Sequence, residues 1–125
     1  MASDRELTQR RRRALREQLR ALSHAPLMRG SLVERLRRCG RPNCACARDP
    51  SKRHGGKFLT VQLGGRTNAL HVRPEDEPKV RLALEAYAKL WEIINALTEC
   101  ELSDLRRKAR ERKRSRQRRR DADSS

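Results

Sequence analysis

Apolar residues repeat at helical spacing near the N-terminus. The segment 7–22 is predicted to be a helix because its apolar positions recur with a period close to 3.6, at Leu7, Ala14, Leu15, Leu19 and Leu22. Arginines cover most of the remaining surface, at Arg10, Arg11, Arg12, Arg13, Arg16 and Arg20. Such a helix is expected either to lie on the domain or pair with another helix, or to follow the phosphates of a nucleic acid. His24, just after it, is expected in a surface loop.

A strict alternation of apolar and polar residues follows later in the chain and predicts a β-hairpin. One run spans residues 59–63, a second spans 69–73, and Gly64-Gly65 lies between them. Two glycines favour a primed turn, because both positions tolerate positive φ. The earlier segment 31–39 fits either a short capped helix or a strand. The strand is favoured because the segment runs directly into a Cys-Gly pair and precedes the hairpin.

A long helix is predicted after Pro74-Glu75-Asp76-Glu77-Pro78, since acidic residues in a first turn complement the helix dipole. Its apolar stripe consists of Val80, Leu84, Tyr87, Trp91 and Ile94, widened by Ala83, Leu90 and Leu97. The stripe is expected to pack on the sheet, and the alternative is a two-helix seam that forms a homodimer. Cys100 is expected to be a buried, inert thiol.

These elements predict an α+β fold. A small antiparallel sheet of about three strands with a cysteine-rich knuckle is expected to pack on the long C-terminal helix, with a basic N-terminal helix in addition. The expected organisation is a helix over residues 1–26, a packed domain over 27–105 and a tail over 106–125. The chain has 125 residues with one Trp, one Tyr and one Phe. Its core is therefore small, and a bound metal or dimerisation would stabilise it.

The charge of the chain points to a polyanionic partner. The formal net charge is +16, and residues 106–120 (the basic segment) contain eleven basic residues opposed only by Glu111. Like charge this dense predicts a fraying helix or disorder in the free protein. No apolar run is long enough to span a bilayer, and the charged N-terminus lacks a secretory signal. A cytoplasmic, nucleoid-associated protein without membrane contact is expected.

Nucleic acid, DNA rather than RNA, is the expected partner. The candidate contacts come from the strand, the cysteine-containing loop, the hairpin and the basic segment. They are Arg37, Arg38, Arg41, Lys57, Arg66, His71, Arg73, Arg106, Arg107, Lys108, Arg110, Arg112, Lys113 and Arg114. The basic segment contains no aromatic residue, which favours phosphate contact without base stacking.

Three of the four cysteines lie within residues 38–54, which we call the cysteine loop. Gly40 and Pro42 favour a tight turn between Cys39 and Cys44. Cys39, Cys44, Cys46 and His54 could supply the four ligands of a tetrahedral zinc ion. The alternative is that these thiols only pack. Disulfides are disfavoured by the expected reducing compartment.

The motif Cys39-Gly40-Arg41-Pro42-Asn43-Cys44-Ala45-Cys46-Ala47, followed by His54-Gly55, resembles a small prokaryotic domain family of undetermined function. In that family the pattern continues with an aromatic-rich strand, a Gly-Gly hairpin and a closing helix, and some members are labelled transposase-related. The resemblance covers roughly residues 27–97 and implies a fold more than a mechanism. The chain departs from the pattern at Gly56-Lys57, where the family has Pro and an aromatic residue.

The leading functional hypothesis is a non-enzymatic nucleic-acid-binding protein, associated with a mobile element. The alternatives are a protein-interaction subunit of a transposase or recombinase, and an RNA-binding protein. An enzyme is disfavoured because the sequence has no phosphate-binding glycine loop, Ser-His-Asp set or HExxH motif.

Overall fold

The computed structural model describes residues 2–124 and has the predicted α+β fold. Two helices and three strands follow one another as α1 (Asp4–Leu22), β1 (Ser31–Arg37), β2 (His54–Leu63), β3 (Arg66–Val72) and α2 (Glu77–Asp123). The chain forms two compact units. One unit comprises residues 25–88, and the other combines the N-terminal 24 residues with the segment from residue 89 onward.

The sheet has the order β1-β2-β3, and both neighbouring pairs are antiparallel. The strand prediction for the segment from Ser31 and the hairpin prediction are both confirmed. Gly64 and Gly65 connect β2 to β3 with φ values of 57° and 77°. Both angles lie in the left-handed region, which is the backbone that a primed two-residue turn requires.

One face of the sheet forms the core of the first unit. Leu59 and Val72 are 7% and 5% exposed, and the register places both on this apolar face. The start of α2 belongs to the same unit, and Ala83 in it is 1% exposed. The backbone N–H of Met28 donates to the carbonyl of Ala83 at 3.1 Å. Lys57, also on the apolar face, donates to Glu77 at 2.5 Å, and this hydrogen bond lowers the pKa of Glu77.

In the second unit, α1 pairs with the later part of α2. Pairing with another helix is one of the two roles predicted for α1. Ser3 caps α1 by accepting from the N–H of Glu6 at 3.2 Å. The less exposed positions of each helix alternate in steps of four and three, the spacing of a two-helix seam. They are Thr8, Arg12, Leu15, Leu19 and Leu22 in α1, and Ile93, Leu97, Cys100, Asp104 and Arg107 in α2.

The pairing of α1 and α2 is antiparallel. Arg11, in the middle of α1, binds Glu99 at 3.2 Å. The start of α1 lies further along α2, because Ser3 and Arg5 line a groove together with Arg110 and Arg114. Residues 115–123 of α2 therefore extend past the beginning of α1, over roughly 13 Å at 1.5 Å per residue.

Arg12 and Asp104 introduce charge into this seam. Arg12 binds Asp104 and also binds Glu101 at 2.9 Å, while Arg107 binds Asp104 at 3.0 Å. The side chains of Arg12, Asp104 and Arg107 are 17%, 20% and 23% exposed. The hydrogen bond from Arg12 is the main cause of a lowered pKa at Asp104. The seam is thus apolar at Ile93 and Leu97 and ionic one helical turn beyond Cys100.

The predicted stripe of α2 agrees with the observed burial at Ala83 and Leu97 but not at Trp91 and Ile94. Trp91 and Ile94 are 50% and 37% exposed, whereas Ile93 and Cys100 are 1% and 2% exposed. The buried positions also include Ala86, a small residue that contributes little to an apolar pattern. Burial of Cys100 is confirmed.

The basic segment is helical in this structure, because α2 continues through Asp123. A fraying helix or a disordered tail was expected there, and fraying in solution stays a prediction. The units of the structure also divide the chain at residues 24 and 88, whereas the sequence suggested boundaries at 26 and 105. Between residues 2 and 124, no helix has the length and apolar character needed to cross a bilayer.

Candidate metal centre and nucleic-acid interface

The cysteine loop connects β1 to β2 at one end of the sheet. Arg37, the last residue of β1, pairs with His54, the first residue of β2, so the loop begins and ends at neighbouring positions. Gly40 has a φ of 82°, and the N–H of Cys44 donates to the carbonyl of Arg41 at 3.2 Å. The chain therefore turns back tightly between the first two cysteines.

Two short 3₁₀ helices, Ala45–Ala47 and Pro50–Lys52, shape the second half of the cysteine loop. Asp49 caps the second of them by accepting from the N–H and the hydroxyl of Ser51, at 3.0 and 2.8 Å. The hydroxyl hydrogen bond is the main cause of a lowered pKa at Asp49. These turns take up the seven residues between Cys46 and His54 and return the chain to the sheet.

The four predicted ligands come together. One ligand atom from each of Cys39, Cys44, Cys46 and His54 lies within 4.8 Å of all the others. Cys44 Sγ is 3.3 Å from His54 Nε2, and Cys46 Sγ is 3.5 Å from Cys39 Sγ. The cluster could therefore hold a metal ion such as zinc. Cys100 is not a member of the cluster.

These distances fit a tetrahedral zinc site. Zinc bonds of about 2.3 Å to sulfur and about 2.0 Å to nitrogen place tetrahedral ligand atoms about 3.5 to 3.8 Å apart. Two of the observed separations, 3.3 and 3.5 Å, are close to these values. The widest separation of 4.8 Å would have to shorten by about 1 Å, a small movement for side chains of a loop.

Cys46 anchors the cluster in the unit. It is 1% exposed, whereas Cys39 and His54 are exposed and Cys44 is half-buried. The backbone N–H of Cys39 donates to Cys46 Sγ at 3.4 Å, which holds this sulfur next to the first cysteine of the loop. A zinc ion with three thiolates and one neutral imidazole carries a net charge of −1. Arg38 and Arg41, which flank the first ligand in sequence, provide compensating positive charge.

The predicted nucleic-acid contacts of the first unit fall into separate places. Arg37, His71 and Arg73 belong to the polar face of the sheet and are exposed. Arg38 and Arg41 are exposed in the cysteine loop. We call the face that carries Arg37, His71 and Arg73, together with Arg35, the basic sheet face. Neither β1, β2 nor β3 contributes a carboxylate to it.

Two predicted contacts do not join this group. Lys57 lies on the apolar face and is bound to Glu77. Arg66 pairs with Leu63 at the hairpin turn, the end of the sheet away from the cysteine loop. The distance along β2 from His54 to Leu63 is roughly 30 Å, so Arg66 and the cysteine loop cannot contact the same phosphate.

In the second unit the cations of the basic segment are exposed, apart from Arg107, which is half-buried. Arg107 binds Asp104 at 3.0 Å and Glu111 at 3.7 Å. It therefore contributes to the helix pair more than to a ligand-binding surface. The exposed candidates are Arg106, Lys108, Arg110, Arg112, Lys113 and Arg114. Among residues 2–124, these six form no ion pair with a carboxylate.

Sequence reasoning missed Arg35. It lies two residues before Arg37 in β1, and side chains two apart in a strand point to the same face. Once β1 was assigned, that spacing was sufficient to find it. The partners of Arg12 were also missed, because they are about ninety residues away and no local pattern marks them.

No curated protein and no solved structure matches this chain. A family model does match, over residues 5–82, a span that includes α1, the sheet, the cysteine loop and the start of α2. The resemblance noted in the sequence covered residues 27–97, so it began and ended later in the chain than the match to the family model. The expectation of a family of undetermined function is confirmed. The chain belongs to the family described as Domain of unknown function (DUF6788).

Proposed function

We propose that this protein is a non-enzymatic nucleic-acid-binding protein, with DNA as its main partner and zinc as a structural ion. The observation that carries the proposal is the exposed charge of the basic segment. Its cations lie on one continuous helix, and ten of the eleven are exposed. Unpaired cations this close repel one another, and a polyphosphate would relieve the repulsion.

The end of α2 suits contact with phosphates. Residues 115–123 extend past the beginning of α1, and the side chains of this part of the helix are exposed. Arg116, Arg118, Arg119 and Arg120 lie there, followed by Asp121 and Asp123. Since no aromatic side chain is present, the attraction is expected to be independent of base sequence.

Zinc would be held by Cys39, Cys44, Cys46 and His54. The ion would supply folding energy, because it ties the end of β1 to the start of β2. His54 is itself the first residue of β2, so a fixed imidazole would also fix the central strand, which pairs with both strands of the basic sheet face. This role needs no exchangeable ligand and no open coordination position.

The first experiment measures binding of the full-length protein to a labelled DNA duplex at several salt concentrations. The variant R112Q/K113Q/R114Q/R116Q removes four exposed charges from the basic segment. If all four contact phosphates, the slope of log affinity against log salt should become shallower by about 3.6, at roughly 0.9 per contact.

The matched control is R10Q/R13Q/R16Q/R20Q, which removes four exposed arginines from α1 and leaves Arg11 and Arg12 in their ion pairs. An equal change in both variants would mean that net charge alone attracts DNA. No binding by the wild-type protein at low salt would contradict the proposal. A tighter complex with duplex RNA of the same sequence would support nucleic-acid binding but would show that RNA, and not DNA, is the main partner.

A second candidate is an accessory subunit that contacts a transposase or recombinase. Exposed leucines favour it, because Leu27, Leu63 and Leu70 are 42%, 59% and 66% exposed and line one groove on the apolar face. A stable complex with such an enzyme at high salt, weakened by Leu70→Asp, would support this candidate. A homodimer through α2 stays a prediction that sedimentation would test.

A further inference from the structure

The basic sheet face is a second positively charged surface, in the unit that holds the cysteine cluster. Its members come from separate strands: Arg35 and Arg37 from β1, His71 from β3 and Arg73 from the residue after β3. Like charges on one sheet face destabilise the sheet when no counter-charge is near. The strands supply no carboxylate on this side, so the compensating charge is expected to come from a ligand.

Gly56 lies between the arginines of this face. Gly56 pairs with Arg35 in β1. On its other side Lys57 pairs with Val72 of β3, so the next position in the same register places Arg73 beside Gly56. Neighbouring strands are about 4.8 Å apart, so the Cα atoms of Arg35 and Arg73 are about 10 Å apart. Two arginine side chains can meet over that distance. The His71 ring covers Gly56, since a Cβ added there would be 3.3 Å from the imidazole.

Arg73 remains available to a ligand. Its carboxylate partner is Glu75 at 3.6 Å, and both side chains are more than 70% exposed. An ion pair this open to water contributes little stability. A phosphate held between Arg35 and Arg73 would therefore displace a weak contact only.

Arg37 is held differently. The carbon of its guanidinium group lies 4.7 Å from the centre of the Phe58 ring, and the His71 ring meets the same phenyl ring edge-on at 5.3 Å. Phe58 is 7% exposed, so it supports Arg37 and does not itself offer a surface for a base. A planar guanidinium group with one side fixed against an aromatic ring leaves its other side for stacking.

We infer that the basic sheet face binds single-stranded nucleic acid, an inference that rests on the proposed function and names its substrate class. A backbone phosphate is bound between Arg35 and Arg73, on the outer side of the His71 ring that covers Gly56. A base stacks on the outer side of the Arg37 guanidinium group. Only an unpaired strand can present a free base to this group, because bases in a duplex are stacked on one another.

The test compares the affinity of the full-length protein for a single-stranded oligonucleotide and for the corresponding duplex. R35Q/R73Q should weaken single-strand binding about tenfold and make its salt slope shallower by about 1.4, at roughly 0.7 per contact. The control K52Q/K79Q removes two exposed charges from positions outside the strands and should change single-strand affinity less than about threefold.

Arg37→Lys separates stacking from charge, because it keeps the cation and removes the planar group. It should weaken single-strand binding about fivefold or more and leave duplex affinity unchanged. Retained zinc content and circular dichroism would show that each variant is folded.

Equal losses for R35Q/R73Q and K52Q/K79Q would overturn the inference, as would equal losses of single-strand and duplex binding in Arg37→Lys. The proposed function would survive both results, since duplex binding by the basic segment does not depend on this face. A wild-type protein that binds neither nucleic acid would overturn both proposals.

Discussion

At the scale of single residues, Cys46 and Cys100 are both buried thiols with different surroundings. Cys46 is near two other sulfurs and an imidazole, whereas Cys100 lies in the seam between α1 and α2. Cys46→Ser should weaken zinc binding by at least about 100-fold, because loss of a ligand costs more than loss of a supporting contact. Metal analysis of the purified protein and a zinc titration would measure the effect.

Cys100→Ala is the matched control for this prediction. It should cost about 1–2 kcal/mol of unfolding free energy, through the small cavity that it leaves. Its zinc content should equal that of the wild-type protein. Unchanged zinc binding in Cys46→Ser would show that the three thiols of the loop are packing residues.

Asp104 gives the helix pair a predicted dependence on pH. Its pKa is lowered in the folded protein, first by the hydrogen bond from Arg12. The carboxylate therefore stabilises the fold above its unfolded pKa of about 4, and this contribution is lost as the pH falls through the lower folded pKa. Asp104→Asn should unfold at a lower temperature than the wild type at neutral pH, and the two proteins should converge in acid.

Thermal unfolding followed by circular dichroism between about pH 7 and pH 2 would check this behaviour. Glu85→Gln is a suitable control, because Glu85 is exposed and forms no ion pair within residues 2–124. Its difference from the wild type should stay constant across the titration. A constant difference for Asp104→Asn as well would mean that the bond to Arg12 adds nothing to stability.

At the scale of elements, the stability of the turn between β2 and β3 depends on its backbone conformation and not on side-chain contacts. Gly64 has a φ of 57°, and a Cβ added there would meet no atom within 4 Å. Gly64→Val should nevertheless cost about 1–2 kcal/mol of unfolding free energy, because a β-branched residue is strained at positive φ. Gly64→Asn should be nearly neutral, since asparagine tolerates this region. Urea unfolding distinguishes the two, and equal costs would indicate that the turn changes conformation.

Local signals in the sequence predicted the hairpin and the metal cluster. Gly64-Gly65 sets the register of β2 with β3, and the spacing of Cys39, Cys44 and Cys46 closes one short loop. Contacts between distant segments could not be predicted from local sequence signals in the same way. The ion pair of Arg12 with Asp104 joins distant segments, and the buried alanines of α2, Ala83 and Ala86, are covered by tertiary contacts that their own weak hydrophobicity does not indicate.

At the scale of the whole molecule, the cysteine cluster and the helix pair belong to different compact units, while α2 contributes to both. The metal would stabilise the unit of residues 25–88 directly, through the ends of β1 and β2. The helix pair has its own apolar and ionic contacts, at Ile93 and at Arg12 with Asp104. Loss of the metal is therefore expected to act unevenly along the chain.

Amide hydrogen exchange, measured before and after chelation of the metal, would show whether the two units lose protection unequally. Peptides from Ser31–Arg37 and His54–Leu63 should exchange faster once the metal is removed, because the strand ends are no longer tied together. Peptides from residues 89–107 should keep their protection, since none of their contacts in the second unit involves the cluster. Faster exchange throughout the chain would instead show that both units unfold together. In that case the zinc site would control the basic segment as well as the sheet, and chelation should weaken duplex binding to the same extent as single-strand binding.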